Sequence, residues 1–373
     1  MKLNYPKSFE KLDERLQDGS LRKLIVYDSE NQVDFFSNDY LGLSRTFVEV
    51  KKNPLIQNGS TGSRLISGNS NQAEDLEKFL AHFFETESAL VFNSGYDANL
   101  GLFSSIGTRN DLIIYDELIH ASVRDGIRLS LAKSFSFKHN SLKNLQKKVK
   151  LFRGKNPSGD IFVAIESLYS MDGDFAPLYE IAQFCFENNL FLLVDEAHSG
   201  GVFGKEGRGL CSELAINELI FAKIITFGKA YGSHGAVVLG SQKLKDYLIN
   251  FARSFIYTTA LPANHYYILK QLIEFSRTID FEENRANFQK NISLFRGLNA
   301  RFIQFSSENS PIQILVFENL EKTKNVVKLL SKAGFSVKVI LSPTVPKGKE
   351  RIRICLHSFN TIDEIRKFSE ILN

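Results

Sequence analysis

The sequence predicts an α/β fold: a large, mostly parallel sheet covered by helices on both faces, followed by a small C-terminal α+β unit. Short apolar runs recur between residues 88 and 240, polar-apolar helical stretches separate most of them, and a second set of strands and helices follows near the C-terminus. In chain order, residues 1–36 read as a charged helix and an extended arm, and "SNDYLGLS" (37–44) reads as a turn. The strand candidates are "SALVF" (88–92), "DLIIY" (111–115), "IFVAIE" (161–166), "FLLVDE" (191–196), "KIITF" (223–227) and "AVVLG" (236–240). Each is short, apolar and β-branched enough to be a buried strand. Helices are expected at 74–85, 141–152, 178–189 and 241–253, and helical patterning runs over 267–299. The C-terminal unit holds strands at 312–317, 335–340 and 351–356, with helices at 320–333 and 361–372. The expected division is 1–44, a helix and arm; 45–265, the large α/β unit; and 266–373, the small unit.

Composition narrows the class. The chain has 373 residues, 43% hydrophobic and 24% charged, which is ordinary for a globular protein. A net charge of +4 with dispersed basic residues gives no reason to expect nucleic acid. Cys185, Cys211 and Cys355 stand far apart without CxxC spacing and read as reduced packing residues of a cytoplasmic protein. The charged N-terminus is unlike a signal peptide, no apolar run is long enough to span a membrane, and no residue cluster points to a metal.

Two segments carry the chemistry. "FLLV" (191–194) runs into Asp195-Glu196-Ala197-His198, and "AKIIT" (222–226) runs into Phe227-Gly228-Lys229-Ala230. A carboxylate or an ammonium at the end of a buried strand is costly unless each meets a partner. Pyridoxal phosphate makes sense of both, because it needs a lysine amine for its aldehyde and a carboxylate to keep its ring nitrogen protonated. Ligands of open parallel sheets bind at the carboxyl ends of the strands. Asp195, Lys229, His120 and Ser170 all follow strand candidates, so these groups are expected to converge. Gly95 and Tyr96, where "FNSGYDANLGLF" (92–103) enters a helix, are suited to a phosphate, with Thr226 adding a hydroxyl. The ordinary alternative is a turn capped by Asn93 or Ser94. His198 could reach the cofactor's phenolic oxygen, and His120 could stack on the ring or simply cap its helix. His139-Asn140 reads as a loop. Arg351 and Arg353 share one strand face; one could hold a carboxylate bidentately, or both could be solvated.

At this level of detail the chain resembles the α-oxoamine synthases, pyridoxal-phosphate enzymes of fold type I. The resemblance runs through "SLRKL" (20–24), "SNDYLGLS" (37–44), "GSTGSRLISGNS" (59–70), "NSGYDAN" (93–99), "DELIHASVRDGIRLS" (116–130), "KHN" (138–140), "SMDGDFAPL" (170–178), "VDEAHSGGVFGKEGRG" (194–209), "TFGKAYGSHGAVV" (226–238), "ARSFIYTTALP" (252–262) and "PTVPKGKERIRI" (343–354). It implies a seven-stranded-type sheet and a homodimer with shared active sites. Lys229 would link covalently to the cofactor, Asp195 would pair with the ring nitrogen, and His120 would stack on the ring. Ser170 and His198 would contact the phenolic oxygen, and Gly95, Tyr96 and Thr226 would bind phosphate. Arg22, His120, Thr344 and Arg353 would line the substrate site, and Thr258 or Thr259 could reach a phosphate across a dimer interface. The activity implied is decarboxylative condensation of an amino acid with an acyl thioester, here L-alanine with a pimeloyl thioester carried on CoA or an acyl-carrier protein. Glycine with an acetyl thioester is the nearest alternative.

The chain departs from the family pattern at Ala73, where His is common, at Ser141 in "HNS", and at Ser167 where Gly is usual. "DEAH" (195–198) also occurs in helicases, but those need a GxxxxGK[ST] loop, and no Gly-Lys pair here is followed by Ser or Thr. A catalytically inactive binding protein on the same fold is the other rival; intact Lys229, Asp195 and His120 argue against it.

Overall fold

The computed structural model describes residues 6–17, 20–24, 26–27, 31–46, 58–156, 158–342, 344–346 and 348–372. Parts of the expected N-terminal helix and arm, the start of the unit expected from 45, and Pro343 and Lys347 of the "PTVPKGKERIRI" motif lie outside the described residues. A seven-stranded sheet forms the centre. Its strands are β1 (Ser88–Phe92), β2 (Leu112–Asp116), β3 (Lys133–Phe137), β4 (Ile161–Glu166), β5 (Phe191–Asp195), β6 (Ala222–Thr226) and β7 (Ala236–Gly240), in the spatial order β1-β7-β6-β5-β4-β2-β3. Only β7 runs against its neighbours β1 and β6. The connection from β6 to β7 is too short for a crossover helix, so the two must pair antiparallel. That short loop carries Lys229 and turns it over the end of the sheet.

All six expected large-sheet strands lie within one residue of their predicted bounds at both ends; β4, β1 and β7 match fully. β3 was not expected. Its sequence KSFSF is half polar because it is an edge strand, alternately exposed, with only Phe137 fully buried. The helices α1 (Glu10–Gln17), α2 (Asn71–Phe83), α3 (Gly95–Ser105), α4 (Ala121–Leu129), α5 (Leu142–Lys155), α6 (Leu178–Glu187) and α7 (Gln242–Phe251) follow the predicted alternation. The long helical stretch is two helices, α8 (Ala263–Phe275) and α9 (Ile279–Asn299), because Thr278 accepts from the Phe281 N–H and starts a new N-terminus.

A three-stranded antiparallel sheet of β8 (Ile312–Leu315), β9 (Lys338–Ile340) and β10 (Arg351–Cys355), ordered β9-β10-β8, packs with α10 (Leu320–Lys332) and α11 (Ile362–Leu372). The strand expected over 335–340 is split: Phe335–Ser336 pairs in parallel with Val33–Asp34, and β9 pairs with β10. The segment from Val33 is thereby pinned to the C-terminal sheet, and backbone bonds from Cys355 to Phe35 and from Ser358 to Tyr40 continue the attachment. One apolar cluster joins the two sheets, running from Val163 and Leu192 through Phe35 and Tyr40 to Ile314, Ile354 and Phe368. Separate clusters fill the space under α3, α4 and α7 and under α2 and α8. The carboxyl ends of β4, β5 and β6 face the region where the Val33–Tyr40 segment and β10 come together.

Candidate active site

A cavity of about 170 Å³ opens at these strand ends, lined by Gly95, Tyr96, Asn99, His120, Ser122, Glu166, Asp195, Ala197, His198, Ile224, Thr226 and Lys229. Lys229 and Asp195 therefore face one space. Had they opened onto separate cavities, the reading of a shared ring-sized ligand would have collapsed.

Asp195 ends β5 and is held by N–H donors on both oxygens. Oδ1 accepts from the Ala197 backbone at 2.9 Å and Oδ2 from Asn99 Nδ2 at 2.8 Å. Asn99 spends its other N–H on Ser122 Oγ at 3.0 Å, and the Ser122 hydroxyl lies 2.7 Å from His120 Nδ1. The opposite amide orientation would aim an oxygen at the carboxylate, so the charge of Asp195 fixes it. Ser122 Oγ, already an acceptor, donates to His120, which leaves His120 neutral with its proton on Nε2. Burial pushes the His120 pKa down, Asp195 opposes this and Lys229 reinforces it. His120 is also the N-cap of α4, accepting the Ser122 N–H at 3.2 Å. The cap and the cavity wall are one residue.

Lys229 has its amine in a buried pocket beside His198 Nε2, 2.7 Å away. Burial lowers its pKa to about 8, with the Arg353 charge acting the same way and Asp195 and Glu166 opposing. His198 Nδ1 meets the Tyr40 hydroxyl at 2.7 Å, and Tyr40 donates to Asn38 Oδ1 at 3.1 Å. Arg353 Nη2 donates to the same oxygen at 3.0 Å. A continuous hydrogen-bond chain thus runs from the amine to the arginine. Its direction requires the Nδ1–H form of His198, and burial and the nearby Lys229 and Arg353 charges keep that ring neutral.

The helix start expected for the phosphate opens onto the same cavity. Ser94 caps α3 through the Asp97 N–H, so the ordinary capping alternative is realised and the first-turn residues Gly95 and Tyr96 line the cavity. A Cβ on Gly95 would sit 3.3 Å from Thr226 Oγ1, space that the glycine leaves open. Asn93 turns away to Thr258 Oγ1 and the Thr259 carbonyl.

Other expected residues lie around the cavity rather than in its wall. The Ser170 carbonyl accepts from Arg353 Nε at 2.7 Å. Arg353 is buried, and its neighbour on the same face, Arg351, pairs with Asp172, so neither is a solvated strand arginine. Arg22 Nη2 reaches Thr344 Oγ1 at 3.5 Å on an exposed part of the surface, which brings these two expected residues together but outside the cavity wall. His139 and Asn140 are not a free loop: both His139 nitrogens hold aspartates and Asn140 bonds Asp174. Ala73 is buried in α2, Ser141 caps α5 and Ser167 meets Ser199 at 2.7 Å, so each departure from the family pattern is locally accommodated.

Sequence reasoning passed over Asn38, Tyr40, Asn99, Ser122 and Glu166. Glu166 carried a usable signal, since an acid closing the fully apolar run "IFVAIE" has nowhere dry to put its charge. The others sit in ordinary turn and helix contexts.

The profile of the aminotransferase class I and II family matches residues 30–368. The chain belongs to that family. It is 40% identical to the 8-amino-7-oxononanoate synthase of Emericella nidulans, over 94% of this chain and 91% of the relative. Among solved structures it is similar to 8-amino-7-oxononanoate synthase of Francisella tularensis, with 32% identity, TM-score 0.77, and 92% and 97% of the two chains covered. Serine palmitoyltransferase of Sphingomonas wittichii gives TM-score 0.89 at 25% identity over 99% and 97%. The expected fold and the motif resemblance to α-oxoamine synthases are borne out by this family and these relatives.

The residues present fit pyridoxal phosphate on the chain's own geometry. A buried amine with a lowered pKa, a doubly anchored carboxylate and a glycine-lined helix start share one cavity. These are the kinds of group the cofactor calls for: an amine for its aldehyde, a carboxylate for its ring nitrogen and backbone N–H groups for its phosphate.

Proposed function

We propose that this chain is a pyridoxal-phosphate-dependent acyltransferase that condenses L-alanine with a pimeloyl thioester, releasing carbon dioxide and the thiol to give 8-amino-7-oxononanoate for biotin synthesis. Lys229 and Asp195 on one cavity carry the cofactor reading; the 40% identical relative directs the choice of substrates. When bound, the cofactor supplies a cationic ring that accepts the electron pair left at the amino acid Cα.

Each chain residue then has a task. Lys229 would hold the cofactor through its aldehyde, and its amine is the base suited to take the Cα proton. A pKa near 8 leaves a useful share of its amine neutral at physiological pH. Asp195, charged and fixed by two donors, keeps the ring nitrogen protonated. His120 would lie against the cofactor ring, and its capping bond holds the imidazole in place. Gly95, Tyr96 and Thr226 hold the phosphate, while His198 and Ser170 serve the phenolic oxygen. Arg353 would hold and orient the substrate carboxylate. Its influence on the pKa values of Lys229 and His198 supports a position close to both. Arg22 and Thr344 extend the substrate site toward the acyl chain.

The same proposal includes the division at 1–44, 45–265 and 266–373, a homodimer with shared active sites, and a cytoplasmic location. The two sheets fall on either side of the second boundary, and Tyr96 at the cavity rim is half exposed. Cys185, Cys211 and Cys355 are free and buried. Among the described residues no helix is long and apolar enough to cross a membrane. The deciding experiment is a spectral titration of the holoprotein with alanine, glycine and serine, then a product assay pairing alanine with pimeloyl thioesters of CoA and of carrier protein. A response to glycine with acetyl-CoA alone would overturn the substrate assignment and favour a glycine C-acetyltransferase.

A further inference from the structure

The chemistry proposed so far leaves one buried acid of the cavity wall without a task. Glu166 is the last residue of β4, a strand buried along its whole length, and is itself 3% exposed. Parallel register sets Glu166 opposite Asp195. Registered residues on adjacent strands point to the same face, and both side chains line the cavity. Their supplies of hydrogen bonds are unequal. Asp195 receives an N–H on each oxygen, whereas Glu166 Oε1 has no partner among the described residues.

Two neighbouring carboxylates in a dry wall repel, and each pays for lost hydration. The acid whose charge is better solvated by the protein keeps the charge, and the other keeps the proton. We propose that Glu166 is a positioning residue that carries the proton of this carboxyl pair and leaves Asp195 as the anion that faces the cofactor ring. The cofactor half of the statement rests on the pyridoxal-phosphate reading; the placement of the proton concerns the chain alone.

The groups facing Glu166 are consistent with this placement. Asp195 comes from β5, Lys229 from the loop after β6, His120 from the start of α4 and Tyr169 from the segment after β4. Burial is the largest influence and the Asp195 charge adds to it. Lys229 and the backbone amides of His120 and Ser170 pull the other way, and the pKa settles at about 8, above the ordinary 4.5. A carboxyl that stays protonated in the native state destabilises that state progressively as pH rises from the unfolded pKa to the folded one, with no further change above it.

The test uses the wild-type chain and Glu166→Gln, both free of cofactor, melted between pH 5 and pH 9. Glu166→Gln keeps the shape and the neutrality of the proposed state. Its melting temperature should exceed that of wild type by a margin that widens from pH 5 to pH 8 and then stays level. Curves that run parallel over this range overturn the proposal. Infrared spectra of wild type grown with ¹³C-carboxyl glutamate or with ¹³C-carboxyl aspartate supply a second reading that needs no variant. At pH 7 a protonated-carboxyl band should move with the glutamate label alone; a band that moves with the aspartate label, or no band, overturns it. Titration with pyridoxal phosphate should leave the affinity of Glu166→Gln within about tenfold of wild type at pH 7, and a larger loss means Glu166 serves as an anion. If wild type itself takes up no pyridoxal phosphate, the cofactor reading fails, and the melting and infrared results still decide where the proton sits.

Discussion

At the ends of β2, β3 and β4, His139 lies between two aspartates; at the ends of β4, β5 and β6, Lys229 and His198 lie beside Asp195 and Glu166. The residue types are alike and both clusters tie neighbouring strand ends together. In the first, His139 Nδ1 meets Asp116 at 2.9 Å and Nε2 meets Asp174 at 2.8 Å. Asp116 also accepts the Asn140 and Leu118 amides, and Asn140 Nδ2 binds Asp174. Opposite charges are matched, so although burial acts against it, the two aspartates raise the His139 pKa to about 10. In the second, bases are pushed down and Glu166 is pushed up to about 8. Pairing makes a clamp; incomplete pairing around a cavity makes groups that titrate near neutrality and keep capacity for a ligand. The contrast explains why His139, read from the sequence as a loop residue, is a clamp between two aspartates and not part of the cavity wall.

The largest effect should come from Lys229→Ala. Turnover should drop to background and borohydride should no longer fix pyridoxal phosphate to the chain, while melting of the cofactor-free protein stays level or rises because a buried amine is gone. Normal turnover would end the assignment. Asp195→Asn keeps the volume, but its single oxygen can accept only one of the Ala197 and Asn99 N–H groups. It should retain cofactor by absorbance yet lower kcat on the order of 10²–10³-fold, the scale seen when one preorganised electrostatic group is lost. Wild-type kcat would refute the electron-sink role.

On the clamp side, His139→Ala should lose stability and spare the chemistry. Removing the middle of a largely buried ion triad costs about 3 kcal/mol in denaturant unfolding, with kcat per folded molecule nearly unchanged. Because folding raises the His139 pKa from 6.5 to about 10, its stabilisation is complete below pH 6.5 and is lost as pH climbs through 10. Wild type should therefore weaken over that interval and His139→Ala should lack the slope; equal slopes would show that the clamp is not charged. The smallest effect belongs to Tyr40→Phe, which interrupts the chain from Lys229 through His198 to Arg353. About 1 kcal/mol of stability should go with the buried hydroxyl bonds, measured by thermal melting. An unchanged kcat–pH profile in this variant would mean that the chain only packs the site.

Much of this was legible along the chain. Lys229, Asp195, His198 and His120 each follow an apolar run, and a polar group at the end of a buried strand stands out locally. Gly95 and Thr226 could be placed for the same reason. Glu166 also ends such a run, but its partners are set by strand register and not by its local sequence. In the structure the backbone of Ser170, through its carbonyl, anchors Arg353. β3 escaped notice because an edge strand needs few apolar residues, and the break between α8 and α9 because a threonine cap interrupts the helix without disturbing its polar-apolar pattern.

The sequence alone determined which segments become strands and which reactive groups end them, since burial of short apolar runs is a local property of composition and spacing. The tertiary structure decided how those groups are satisfied. Asn99 comes to Asp195 across 96 residues and Tyr40 to His198 across 158. Asp116 and Asp174 close on His139, and register alone puts Glu166 beside Asp195. Charge depends on neighbours in space, and those neighbours are fixed only when the sheet order and the Val33–Tyr40 segment are in place.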